Sequence, residues 1–382
     1  MKEKQKNSHK EEKVLKPWQF DLEEYIRQGE AEKAEKSYAW KTAIGLQDVD
    51  GLETSEYLLQ TAKDHIEGNI DILTARKRID NYYESKEERM EAERGTEEAD
   101  RVAARIAEIL SEKTFQFSPA EYLMIHKRLF SGIYDHAGKI RSYNITKKEW
   151  VLHGETVLYA SANSIKATLE YDFSMEKQFS YQELSLNESV RHLAKFTSDI
   201  WQIHPFCEGN TRTTAVFIVK YLKTFGFEIN NDAFADHSWY FRNALVRANY
   251  NNLTRGIHAT TEYLELFFEN LLLGTKHELK NRYLVIDAVK EVQSAEIDCP
   301  KCQNGTLNGT LDDTMDGTLE CTLEELAVLK ILKANPSMTQ KALAVHIGKS
   351  ERTVKRITVS LQQKGIMERE NGKRNGKWVI LL

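Results

Sequence analysis

A histidine, a glutamate, a glycine and an arginine stand within one short stretch, His204-Pro205-Phe206-Cys207-Glu208-Gly209-Asn210-Thr211-Arg212. Together these residue types suit phosphate chemistry. An imidazole with a pKa near ~6.5 is partly neutral at physiological pH and can take a proton from an attacking hydroxyl. A carboxylate such as Glu208 can hold a magnesium ion that bridges phosphate oxygens, and a guanidinium such as Arg212 can neutralise another phosphate. Gly209 allows close approach of backbone to an anion, and the free N–H groups of a helix's first turn favour negative charge. With base, metal-binding acid and anion cradle side by side, transfer of a phosphoryl or nucleotidyl group needs little beyond positioning.

The flanking elements must hold these groups. Val190, Leu193, Ile200 and Ile203 recur at helical spacing before the stretch, and residues 215–222 after it are apolar almost all round, as in a helix at a domain centre. The reactive residues therefore lie on a loop between two helices. Upstream, residues 149–159 read as a β-hairpin: Trp150, Leu152, Val157 and Tyr159 are strand formers, and His153-Gly154 makes a turn.

The nine-residue stretch resembles the signature of the Fic family: His-Pro-Phe, any residue, Asp/Glu-Gly-Asn, a small residue, then Arg. The segment Ile125-His126-Lys127-Arg128-Leu129-Phe130, with Tyr134, Ala137-Gly138 and Ile140-Arg141, is similar to the helix and turn that precede the Fic flap. The resemblance implies a mainly α fold, a Fic helical core with a β-hairpin flap. It implies transfer of AMP from ATP, with Mg2+, to a Ser, Thr or Tyr hydroxyl of a target protein or of the chain itself. By resemblance His204 is the general base, Phe206 packs the loop, and Glu208 is the magnesium ligand. Gly209, Asn210 and Thr211 form the anion hole, Arg212 contacts phosphate, and Tyr240 and Asn249 fall where adenine and ribose contacts are expected. Trp150, Val151, Leu152 and His153 would form the flap that clamps a target strand through backbone hydrogen bonds. Doc-type kinases of the same superfamily carry Ala-Asn-Lys where this chain has Gly209-Asn210-Thr211, which favours nucleotidyl over phosphoryl transfer. Many members place a second Arg where this chain has Ala215, so contact with the γ-phosphate must come from elsewhere or be weaker.

A second resemblance bears on control. Ala43-Ile44-Gly45-Leu46-Gln47, Asp50-Gly51-Leu52 and Ile66-Glu67-Gly68-Asn69-Ile70 are similar to the VbhA-type antitoxin modules that block the ATP γ-phosphate site with a helix carrying Ser/Thr, three residues, then Glu-Gly. Asp50 and Glu67 are the two candidate inhibitory acids. The flanks align Asp50 with the inhibitory position, although Leu46 stands four residues before it; Glu67 has the right acid but Lys63 at the Ser/Thr position. Inhibition is therefore expected to be weakened or rearranged.

The C-terminus reads as a separate unit. A helix over 323–334 is stopped by Asn335-Pro336, a second spans 339–347, and Ser350 caps a third to Lys364. A hairpin with a basic turn follows, giving a winged helix-turn-helix. From Thr322 to Leu382 there are 12 Lys and Arg against 5 Glu, on a chain of net charge −5. Lys349, Arg352, Lys355 and Arg356 on the recognition helix, and Lys373 and Arg374 on the wing, are the expected contacts to duplex DNA. A module that binds protein instead is the alternative. Between core and wing the Asn-Gly-Thr-Leu-type repeats read as a tether, and Cys299-Pro300-Lys301-Cys302 supplies two zinc ligands where a structural site needs four.

The sequence thus divides into a charged segment (1–37), an antitoxin-like module (38–84), a catalytic domain (85–275), a connecting helix and flexible linker (276–320) and the winged helix-turn-helix (321–382). No apolar run approaches the ~20 residues of a membrane helix, and four cysteines without a signal peptide point to a reducing, cytoplasmic compartment. Homo-oligomerisation is one arrangement the composition permits. Two other functions fit the same residues: a DNA-binding regulator whose Fic core senses nucleotide, and a Fic enzyme that transfers another phosphate-containing moiety.

Overall fold

The computed structural model describes residues 17–27, 29–85, 91–182, 184–227, 233–286, 321–370 and 376–381. Residues 1–16 of the charged segment, the repeat-rich tether with Cys299 and Cys302, and Lys373 and Arg374 lie outside them.

Helices dominate. In chain order they are α1 (Pro17–Arg27), α2 (Ala31–Gly45), α3 (Glu56–Ile66), α4 (Ile72–Glu84), α5 (Glu91–Ser111), α6 (Pro119–Phe130), α7 (Ile165–Gln178), α8 (Leu186–Ile203), α9 (Asn210–Thr224), α10 (Ala233–Ala248) and α11 (Glu262–Leu273). The starts are written in the sequence. Ser55, Asp71 and Ser118 accept hydrogen bonds from the N–H three residues on, and Ser185 and Glu188 form a reciprocal capping box that opens α8. Each such cap is worth about 1 kcal/mol.

Helix α9 runs through the centre of the core. Residues 210–222 are all buried, and Phe217 packs among Phe115, Tyr122 and Phe173. A helix apolar on every side can satisfy burial only if other helices surround it. The N-terminal helices belong to this core as well: Trp40, Ile44, Leu46 and Val49 share one cluster with Phe206 and Phe217. Helices α2 and α10 meet at Gly45, where a Cβ would lie 2.3 Å from the Ala235 Cα, and the Gly45 carbonyl accepts a 2.7 Å hydrogen bond from Ser238. Directly after Gly45 comes a 3-10 turn, Leu46–Asp50, which this crossing delivers to the N-terminal end of α9.

The expected flap hairpin takes another form. Two extended arms flank a 3-10 turn, Trp150–Leu152, closed by His153 in the left-handed region (φ 52°). Glu149 makes two main-chain bonds across the turn, its N–H donating to the Glu155 carbonyl and its carbonyl accepting from the Gly154 N–H, each at 2.9 Å, and the arms form no strand ladder. Two consecutive residues, Val151 and Leu152, are both fully buried, which a strand's alternation cannot provide, and the Val151 carbonyl is taken by the Ile286 N–H.

The C-terminal unit comprises α12 (Leu323–Ala334), α13 (Gln340–His346), α14 (Glu351–Gln363) and an antiparallel pair, β1 (Met367–Glu370) with β2 (Lys377–Ile380), in register Met367 to Ile380 and Glu370 to Lys377. The Trp378 indole donates to the Met338 carbonyl at 3.1 Å, tying the wing to the turn before α13. This unit rests on the helical core. The Lys330 ammonium donates to the Leu272 carbonyl at the end of α11, and Ile347 packs on Gly226.

Candidate active site

His204 terminates α8 in the left-handed conformation (φ 49°), a strained choice for a residue with a Cβ, and this swings the chain toward α9. Its Nδ1 lies 3.3 Å from the Trp201 carbonyl. A carbonyl only accepts, so Nδ1 carries the hydrogen and Nε2 keeps its lone pair, with no partner among the described residues. The ring is buried beside Tyr159 and Trp201. Burial first, then the positive charges of Lys147, Arg141 and Arg242, hold its pKa well below the usual imidazole value, so the ring is neutral at pH 7. A neutral imidazole with a free Nε2 is a base.

The loop after it is pinned from four directions. The Asn210 amide accepts from the Phe206 N–H at 3.0 Å and donates to the Phe206 carbonyl at 2.9 Å. The Gly138 N–H donates to His126 Nδ1 at 2.8 Å, which leaves His126 Nε2 to donate to the Glu208 carbonyl at 3.0 Å. The same ring stacks on Phe206 at 3.6 Å, and burial lowers its pKa to about 3. Arg141 fans out to carbonyls: Nε to His204 at 2.8 Å, and its terminal nitrogens to Tyr143 at 2.7 Å, Ala160 at 2.6 Å and Ile203 at 3.3 Å. Thr211 accepts from the Trp201 indole at 2.9 Å.

Gly209 (φ 75°) precedes the first residue of α9, and a Cβ there would sit 2.4 Å from the Phe130 ring. The first-turn N–H groups of α9 have no intrahelical acceptor, and no side chain caps them at Gly209. Glu208 is more than half exposed, and its carboxylate meets the Lys147 ammonium at 2.8 Å.

Arg212 is fully buried, and the structure surrounds it with acceptors: Glu98 at 2.6 Å, Gln47 Oε1 at 3.0 Å, Tyr134 at 3.4 Å, and Asp50 at 2.8 Å from Nε. The Asp50 contact is short but off-line, since the Nε–H finds no hydrogen-bond acceptor among the described residues; the attraction is ionic. The guanidinium also lies over the Phe130 ring. Burial opposes its charge, but Asp50, Tyr134 and Glu98 outweigh that and keep it charged.

The structure gathers His204, Glu208, Gly209, Asn210, Thr211, Arg212 and Asp50, but scatters the remaining candidates. Glu67 caps α3 on the surface, accepting from the Tyr25 hydroxyl at 2.5 Å and from the Asn69 amide. Tyr240 is buried in the core, and the Asn249 Nδ2 donates to Ser198 and to the Leu245 carbonyl. Of the flap candidates, Trp150 and His153 are exposed, whereas Val151 and Leu152 are in the core. On the winged helix Arg352, Lys355 and Arg356 are exposed along α14, while Lys349 is paired with Glu324 at 3.0 Å.

Glu98 and Gln47 as partners of Arg212, and Lys147 as the partner of Glu208, were not legible in the sequence. The first two lie 114 and 165 positions away, Glu98 in a charged helix and Gln47 in the antitoxin-like segment, where nothing in the local pattern points to Arg212. His126 and Arg141 fell within the family-like segment, but their work as loop braces had no local signal.

Residues 116–222 match the profile of the Fic/DOC family, and residues 325–366 that of a winged helix-turn-helix DNA-binding domain. The chain thus carries a Fic/DOC domain, which spans the His204–Arg212 loop, and a C-terminal winged helix. Over 150 residues it is 29% identical to the probable protein adenylyltransferase y4lH of Sinorhizobium fredii, covering 38% of this chain and 71% of that one. Over 108 residues it is 29% identical to the protein adenylyltransferase VbhT of Bartonella schoenbuchensis, covering 28% of this chain; the aligned region spans 21% of the length of VbhT. The crystal structure of a Fic family protein from Desulfovibrio desulfuricans G20 aligns with a TM-score of 0.39 at 14% identity, over 96% of this chain and 97% of that one.

Proposed function

We propose that this protein is a Fic-type adenylyltransferase that moves AMP from ATP to a Ser, Thr or Tyr hydroxyl of a target protein or of itself. The observation that carries this reading is the neutral His204, with Nε2 unpartnered among the described residues, on the same short loop as Glu208 and the uncapped N-terminus of α9. In the proposed step Nε2 takes the proton of the acceptor hydroxyl, the oxygen bonds to the α-phosphorus, and the bond from that phosphorus to the departing pyrophosphate breaks. The N–H groups around Gly209 stabilise charge on the phosphate oxygens, and His126, Asn210 and Arg141 hold that geometry.

The donor set fits magnesium. Among the described residues no group of three His, Cys, Asp or Glu side chains converges, and Glu208 stands as a single exposed carboxylate. Magnesium keeps several waters and commonly takes one or two carboxylates plus phosphate oxygens, so Glu208 with the triphosphate would hold it. Bound there, the ion would supply charge neutralisation to the phosphates.

The N-terminal helices act, in this reading, as a built-in VbhA-like brake. Asp50 and Glu98 together occupy Arg212, which the family resemblance assigns to phosphate. The winged helix would carry the enzyme to duplex DNA.

Intact-mass analysis after incubation with ATP and Mg2+ tests the proposal. The Asp50→Ala protein should gain AMP on itself faster than wild type, and His204→Ala should gain none. If Asp50→Ala puts no AMP on itself or on the proteins of an added cell extract, or His204→Ala retains incorporation, the enzyme reading fails, and a nucleotide-sensing DNA-binding regulator becomes the better account. Labelled GTP, CTP and UTP run in parallel would reveal a different transferred moiety.

A further inference from the structure

The proposed phosphate site is poor in cations that are free to serve it. Arg212 is held by Asp50, Glu98 and Gln47, and one turn further along α9 stands the buried methyl group of Ala215. The Arg141 donors are spent on backbone carbonyls. Arg242 faces Glu149 at 2.7 Å and lies over Trp239, and Arg255 pairs with Glu155 at 2.9 Å.

Lys147 differs. Its ammonium meets Glu208 at 2.8 Å, the carboxylate proposed above for magnesium, and its side chain is 26% exposed. The chain is extended here: Lys147 and Glu149 face inward and Lys148 faces solvent, as strand-like alternation requires. The Lys147 N–H reaches Thr156 Oγ at 3.3 Å on the returning arm, which fixes the residue at the mouth of the loop. Its charge is also felt at His204, where it ranks next to burial in keeping the imidazole neutral. One ammonium is therefore within electrostatic reach of both the base and the metal-binding acid.

We propose that Lys147 is the triphosphate-contacting cation of this site: when magnesium engages Glu208, the ammonium exchanges that carboxylate for a phosphate oxygen of ATP and supplies the charge for which position 215 has no side chain. The proposal rests on the adenylyltransferase reading. A lysine suits the task because a compact charge on a flexible stem can trade one charge-assisted hydrogen bond for another without a fixed approach angle.

Equilibrium binding of ATP and of AMP, with Mg2+, tests it in a His204→Ala, Asp50→Ala parent that cannot transfer AMP and has lost the Asp50 contact. A charge-assisted hydrogen bond is worth ~1.5–3 kcal/mol, so Lys147→Met should weaken ATP binding about 10- to 100-fold. AMP, which has no β- or γ-phosphate, should change less than about twofold, and Lys147→Arg should recover most of the ATP affinity. Unchanged ATP affinity in Lys147→Met overturns the proposal. So does an equal loss for both nucleotides, which would mark Lys147 as a structural brace. A parent that binds neither nucleotide defeats the adenylyltransferase reading itself, and Lys147 falls with it.

Discussion

At the scale of single residues, the loop tolerates little because several of its atoms are held by a unique partner. Gly209 is the sharpest case. Its φ of 75° disfavours any side chain, and the ring of Phe130 occupies the volume of a Cβ at 2.4 Å. That ring cannot yield easily, since it stacks on Tyr134 and lies under the Arg212 guanidinium. Gly209→Ala should therefore cost about 2–4 kcal/mol of stability, the sum of left-handed strain and overpacking, read as a lower urea midpoint. A midpoint within error of wild type would mean that the α6–α9 contact is looser than the geometry indicates. Gly209 itself was legible in the sequence as a residue that lets backbone approach a ligand. That it also admits Phe130 was not, because 79 positions separate the two and neither carries a mark of the other.

At the scale of elements, the join between α2 and α3 is set by a buried histidine. The Trp40 indole donates to His65 Nδ1 at 3.0 Å, which requires an unprotonated acceptor. Burial first, then the charge of Lys36, lowers the His65 pKa to about 4, against smaller opposing effects of Asp71 and Glu32. The unfolded chain titrates near ~6.5, so between those values it binds a proton that the folded state refuses. The stabilisation contributed by neutral His65 is complete above pH 6.5 and declines as pH falls toward 4, at up to ~1.4 kcal/mol per pH unit. Urea unfolding at pH 7.5 and 5.5 should show a smaller drop in stability for His65→Gln than for wild type, by about 1 kcal/mol. Equal drops would exclude His65 as a source of the pH dependence. The same join delivers the turn that carries Asp50, so the pairing of α2 with α3 and α10 bears directly on Arg212. The expected flap shows the opposite case. Its hydrophobic residues were visible, but their alternation was overridden by a core that takes Val151 and Leu152 together.

At the scale of the whole molecule, the winged helix sits on the helical core with its recognition helix turned outward. Arg352, Lys355 and Arg356 are exposed on α14, whereas Lys349 and Lys364 are tied to Glu324 and Glu325 within the unit. The first wing strand presents Glu368 and Glu370 to solvent, and the second presents Lys377. Replacing Arg352, Lys355 and Arg356 together by Ala should weaken duplex binding and make the slope of log K against log salt shallower by about 3, given ~0.9 per phosphate contact. If binding and slope are unaffected, α14 does not contact DNA and a protein partner becomes the better assignment. No helix among the described residues is long and apolar enough to cross a membrane.

What the sequence determined by itself was local chemistry. Residue types within one loop, the caps at helix starts, and the central apolar helix all follow from spacing within a few residues, where propensity and hydrogen bonding act directly. Tertiary structure decided which groups are committed and to whom. Arg212 looked like a free phosphate ligand and is instead clasped by Asp50, Glu98 and Gln47. Tyr240 is buried in the core, a placement the sequence did not mark, and Lys147 had no visible role until the fold brought it to Glu208. The physical reason is common to all three. Charge and burial depend on what lies within a few ångströms, and in a helical core those neighbours come from elements scores of positions apart.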